Sequence, residues 1–108
     1  MKVAKLDGMV RGWFVGDFQP TAYVTQDVEV GIKRHAAGAT EARHHHKVAT
    51  EITVIVSGHV RMNGIDYQAG DIVTVEPNES TDFHVVTDTL TVVVKLPGAT
   101  NDKYLGAS

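Results

Sequence analysis

The sequence predicts an all-β protein, an antiparallel sandwich or barrel, and three observations carry that expectation. Runs of alternating or β-branched apolar residues are short. Turn signals recur about every 8–12 residues, the spacing of sandwiches and barrels. No stretch holds a helical period.

The elements follow in chain order. "GWFVGDF" (12–18) reads as an early strand and turn whose aromatic side chains serve a core or an interface, with lining a ligand pocket as the lesser alternative. "DVEVGIKRH" (27–35) alternates, with Val28, Val30 and Ile32 on one face. Lys33 and Arg34 fall on opposite faces of that strand, so one of the two cations points inward. There it would orient an anionic substrate through charge-assisted bonds. "TEITVIVSG" (50–58) is rich in β-branched residues and ends at Gly58. "HVRM" and "IDYQ" flank Asn63-Gly64, a dipeptide that tolerates the positive φ of a type I′ hairpin turn. "AGD" (69–71) turns the chain again, "IVTVE" extends it, and "PNES" (77–80) breaks it. "TDFHVVT" and "LTVVVKL" read as two strands separated near Asp88, and Pro97-Gly98 ends the second.

With 108 residues there is chain for one core, so a single domain over 1–108 is expected, its core at about 13–97. The first dozen residues and the tail from Ala99 are expected to be mobile or to lie on a partner subunit. Apolar residues make up 43% and charged residues 21%, the balance of a soluble globular protein. The net charge is −3 and the ten Lys and Arg form no run, which argues against nucleic-acid and anionic-membrane partners. No apolar run has signal-peptide or transmembrane length. Cysteine is absent, which excludes disulfides, thiolate nucleophiles and Cys-ligated metal and fits a cytoplasmic protein. Any metal site must use His, Asp and Glu.

"RHHHKVATE" (43–51) supplies them. Residues two apart in extended chain share a face, so His44 and His46 project together while His45 faces away. Glu51 opens the next strand after a short link and can add a carboxylate. Two imidazoles and a carboxylate on one side of an ion suit divalent Fe, Mn, Ni, Co or Zn and leave positions open for substrate or O₂. The bland alternative is a solvated polar turn.

"GATEARHHHKVATEITVIVSG" (38–58) resembles the first motif of the cupin superfamily, G-x5-H-x-H-x4-E-x6-G, at every fixed position. This chain's own composition makes a chance match on the order of one in ten thousand. The resemblance implies a small jelly-roll barrel with one metal ion held inside by His44, His46 and Glu51. The second motif, G-x5-P-x-G-x2-H-x3-N, begins at Gly70 but departs from its pattern. Pro77 comes one residue late and Glu79 replaces the glycine. Counted from Pro77, Asp82 falls at the histidine position and His84 is the nearest histidine. Both share a face, so either completes the site, with His84 favoured because a third imidazole gives the usual three-His-one-Glu set. His35 and His59 read as structural or exposed single histidines, though His35 can lie near the barrel mouth.

The superfamily spans many reactions, so the resemblance does not choose one. The expectation is a metal-dependent enzyme of isomerase, lyase or dioxygenase type on a small polar molecule such as a sugar derivative or carboxylic acid. Glu41, Glu76, Glu79 and Tyr67 are candidate proton carriers, and no catalytic residue is singled out. The alternative is a non-catalytic small-ligand-binding or sensing module. A homodimer is expected, because the edge strands of so small a sandwich need covering.

Overall fold

The computed structural model describes residues 1–99 and 101–107; Thr100 and Ser108, both in the tail, lie outside the described residues. Among the described residues a short 3₁₀ turn, Leu6–Gly8, precedes eight strands: β1 (Trp13–Val15), β2 (Glu29–His35), β3 (Thr40–His45), β4 (Thr50–Met62), β5 (Ile65–Gln68), β6 (Ile72–Val75), β7 (Ser80–Leu96) and β8 (Tyr104–Leu105). All strand pairings are antiparallel, in the order β1-β2-β7-β3-β8, with β4 joining β7 to β5 and β6. The result is an open, all-β jelly-roll sandwich, as the pattern of short runs predicts. Among the described residues no helix is long and apolar enough to cross a membrane.

Two strands are longer than expected. "TEITVIVSG" and "HVRM" form one strand, β4, and "TDFHVVT" and "LTVVVKL" form one strand, β7. Gly58 and the stretch around Asp88 bend these strands instead of ending them. The β4–β7 register shifts three times between Ile55 and Val60, and Gly58 sits there with φ 97°. A Cβ at Gly58 would overlap the Thr89 hydroxyl and the Asp88 carbonyl, so only glycine lets the two backbones close at the corner. The bend lets β7 serve β3 through residues 80–84 and β2 through residues 89–95, with β4 along its other edge. At the β4–β5 turn, Asn63 and Gly64 both have positive φ (51° and 77°), the backbone that the Asn-Gly dipeptide favours.

Partners directly opposite in a ladder share a face. On the inner face β4 places Glu51, Thr53 and Ile55, then Val60 and Met62 beyond the bulges, while β7 places Thr81, Phe83 and Val85, then Thr89, Thr91 and Val93. Ile55, Val60, Met62, Phe83 and Val85 form the buried core, with Tyr67, Val73 and Val75 against it. Each such side chain contributes about 1.5–3 kcal/mol by leaving water. Beyond Met62 and Phe83 the inner face becomes polar, and there the sandwich holds a cavity instead of a core.

Candidate metal centre

β3 delivers the histidines. A bulge between Glu41 and His44, with Glu41 opposite Phe83 and His44 opposite Thr81, turns both Glu41 and His44 inward. His46 follows on the same side and lines the same cavity. His45 points away: its Nδ1 donates to the Gly106 carbonyl at 2.8 Å and its ring stacks on Tyr104. Glu51 arrives from the start of β4. The ligand atoms of His44, His46 and Glu51 lie within 4.8 Å of one another. His46 Nε2 is 3.3 Å from Glu51 Oε2, and the His44 and His46 rings stand edge-on with centroids 5.5 Å apart. Donors about 2.1 Å from a shared ion sit about 3–4 Å apart, so this spacing is close to what a divalent cation requires.

The backbone fixes which ring nitrogens face the cavity. His44 Nδ1 lies 3.1 Å from the Ala42 carbonyl and His46 Nδ1 lies 2.7 Å from the Asp102 carbonyl. Carbonyls only accept, so each Nδ1 carries the proton and each neutral ring offers Nε2 as a ligand. Within the tail, Asp102 belongs to the surroundings of the site. The buried Asp102 carboxylate accepts the N–H groups of Lys47, Val48 and Ala49 at 2.9–3.2 Å, which pins the link between His46 and Glu51. β8 pairs with His44 and His45. From the other side the Asn78 N–H donates to the His46 carbonyl at 2.7 Å.

Electrostatics couple the pair. The hydrogen bond to Glu51 outweighs burial and raises the His46 pKa above 6.5. Burial pushes Glu51 up, but the His46 hydrogen bond and the charges of His46, Lys95 and His44 outweigh it and hold the carboxyl below 4.5. Each group thus favours the charged form of the other, and a cation would take the place of a proton held between them.

His84 and Asp82 do not join this group. His84 is exposed on β7, opposite Thr40 and Arg61, and Asp82 accepts the Asn63 N–H at 2.7 Å. The inner residues of this stretch are Thr81 and Phe83. Counting from Pro77 put the motif one residue late. Counted from Gly70, Glu76 falls at the proline, Asn78 at the glycine and Thr81 at the histidine. Asn78 has φ 70°, so it makes the left-handed turn that a glycine would make. Thr81 therefore stands where the fourth ligand is expected, opposite His44, with its hydroxyl donating to the Asp82 carbonyl at 2.7 Å. What converges is two imidazoles and one carboxylate.

These groups open on a cavity of about 420 Å³. Of the candidate proton carriers, Glu41 lines it. Glu76 and Glu79 are tied to the β6–β7 turn and Tyr67 packs on the core. Lys33, not Arg34, is the inward cation of β2. His35, read as structural, also lines the cavity; its ring lies 3.3 Å from the Thr91 hydroxyl and 5.0 Å centroid-to-centroid from Phe83. Burial lowers its pKa, so the ring is neutral at pH 7. Its parity with Lys33 was the signal for both.

No family model matches the chain, and no curated protein does. Solved structures do. A Klebsiella pneumoniae protein with a double-stranded β-helix domain is 24% identical over 78% of this chain and 74% of its own, with a TM-score of 0.68. An RmlC-like cupin from Shewanella frigidimarina is 21% identical over 72% of each chain, with a TM-score of 0.64. The fold is the cupin fold. Oxalate decarboxylase from Bacillus subtilis is also similar, 17% identical over 74% of this chain but 24% of its own, with a TM-score of 0.66. On this cupin fold, then, His44, His46 and Glu51 converge, while Thr81 lies opposite His44.

Proposed function

We propose that this protein is a metal-dependent enzyme acting on a small polar molecule, with one divalent ion held by His44, His46 and Glu51. The observation that carries the reading is the convergence of three fixed ligand side chains on the wall of a single cavity. The similar oxalate decarboxylase has Mn(II) centres, which supports a first-row ion; the donor set accepts Fe, Mn, Ni, Co and Zn alike. A bound ion would supply Lewis-acid polarisation of a substrate oxygen, as isomerases and lyases use, or O₂ activation if the ion is iron, as dioxygenases use.

The chain's own residues would supply the rest. With threonine at position 81, His44, His46 and Glu51 would hold the ion and oxygen atoms of a substrate would complete its coordination. Glu41 and the neutral His35 ring, both on the cavity wall, would move protons. Phe83 and Met62 close the floor and keep water from the core side. Cysteine-free composition leads us to place the enzyme in the cytoplasm.

Turnover is the test. Metal-loaded and chelator-stripped protein should be screened against sugar phosphates, keto acids and hydroxy acids, with O₂ uptake recorded. Turnover by the loaded form that is lost in Glu41→Gln or His35→Asn supports the reading. Tight metal binding without turnover in any class would identify a ligand-binding module.

A further inference from the structure

The cavity carries more positive charge than its candidate ligand set requires. Arg11, Lys33, Lys95 and Lys103 line it, against the carboxylates of Glu41 and Glu51, although the whole chain has net charge −3. Two of these cations share one aromatic ring. Lys33 Nζ lies 5.0 Å from the centre of the Trp13 ring and Lys95 Nζ lies 5.7 Å from it. The backbone is shaped for this arrangement. Trp13 pairs with Gly31, and a Cβ on Gly31 would come within 2.8 Å of the indole, so a residue without a side chain lets the ring lie flat against β2. Lys33 then projects beside it on the same inner face. Lys95 projects from β7, directly opposite Glu51 in the β4 ladder, next to the three converging ligands.

The ammonium groups are held but not used up. Lys33 donates one proton to the Arg11 carbonyl at 2.6 Å and keeps two donors. Besides its approach to Trp13, Lys95 has a long 4.0 Å ion-pair contact with Glu29. Burial, and Arg11 after it, lower the Lys33 pKa against the opposing charges of Glu41 and Glu51. A divalent ion on His44, His46 and Glu51 would add to that excess.

We propose that Lys33 and Lys95, bracketing Trp13, form an anion-binding wall, and that the substrate is a small molecule whose carboxylate or phosphoryl group docks there while its reacting end faces the metal centre. The inference deepens the enzymatic reading above but is tested separately from it. The wall selects charge, since ammonium groups are compact point donors, and a neutral isostere leaves them unpaired.

Trp13 is the single tryptophan of the chain, so its fluorescence reports directly on this wall. Metal-stripped and metal-loaded protein should each be titrated with malonate, inorganic phosphate and neutral malonamide. The inference predicts a saturable change with malonate or phosphate that weakens with added salt, and none with malonamide. Which anion binds more tightly separates the carboxylate from the phosphoryl source. Lys95→Met and Lys33→Met should each weaken binding about tenfold, one charge-assisted bond lost, while Lys5→Met leaves it unchanged. Thermal unfolding of each variant checks that it folds, and should one lysine variant fail to fold, the other decides. No response to either anion, an equal response to malonamide, or lysine variants that bind as the parent does would overturn the proposal. A metal-binding protein that ignores both anions refutes the wall alone. An anion-binding protein that takes up no metal refutes the metal centre alone.

Discussion

His46 is the residue on which the proposed chemistry turns, because a proton and a metal ion would compete for its Nε2. Glu51 and the Asp102 carbonyl both favour its imidazolium form, with the Glu51 hydrogen bond the larger influence. Any metal must displace that proton, so affinity should fall by about tenfold per pH unit once the pH drops below the raised His46 pKa. Because that pKa lies above 6.5, the decline should begin on the alkaline side of 6.5. Metal titrations between pH 5.5 and about 8.5 measure it; a flat profile would contradict the pairing. In metal-free protein the same pair sets a stability window. The raised His46 contributes fully below 6.5 and loses its effect as pH rises through its folded pKa, while the depressed Glu51 contributes above 4.5 and loses its effect as pH falls through its own. Asp102 acts one step further out. Replacing it with alanine strips acceptors from three backbone N–H groups, so Asp102→Ala should cost about 2–4 kcal/mol by denaturant unfolding and weaken metal binding by roughly 10–100-fold. Asp102→Asn, which keeps one acceptor, should lose less.

Most strands were legible in the sequence because alternation and turn chemistry are local. The Asn63-Gly64 hairpin and the separation of His45 from His44 and His46 need only the period of an extended chain. The long strands were less legible, since a glycine that ends a strand and one that bends it look alike in sequence; only the partner strand decides. Gly58 carries that distinction. Gly58→Ala would add a left-handed strain and a clash with the Thr89 hydroxyl, so it should destabilise the fold by about 2 kcal/mol or more by thermal unfolding. The missed position of the second motif has a similar cause. Asn78 makes a glycine's turn with an asparagine, so a pattern anchored on Pro77 slips by one residue. A one-residue slip exchanges the faces of a strand, which is why His84 and Asp82 seemed to point inward while Thr81 does.

Across the whole molecule, composition says nothing about where the tail goes. Asp102 is a common surface residue type, and only tertiary structure brings it beneath the histidines. The faces of the sheet are also reversed from the simplest expectation. On β2 the polar residues Glu29, Lys33 and His35 face the cavity side, while Val30 and Ile32 face out. In register they continue as Val30, Val94 and Ile52 in one row and Ile32, Val92, Val54 and Ile72 in the next. Ile72 is 64% exposed at the end of that row. We propose that a second copy covers this aliphatic face. Light scattering at micromolar concentration should give twice the chain mass, falling to one chain in Ile72→Lys; a monomeric parent would contradict it.

Metal content tests the central claim most directly. Protein purified without added metal, then loaded and dialysed, should retain one equivalent of a divalent ion. His46→Ala and Glu51→Gln should lose it, and His84→Ala should keep it. Retention by His46→Ala, or loss in His84→Ala, would contradict a centre built from His44, His46 and Glu51.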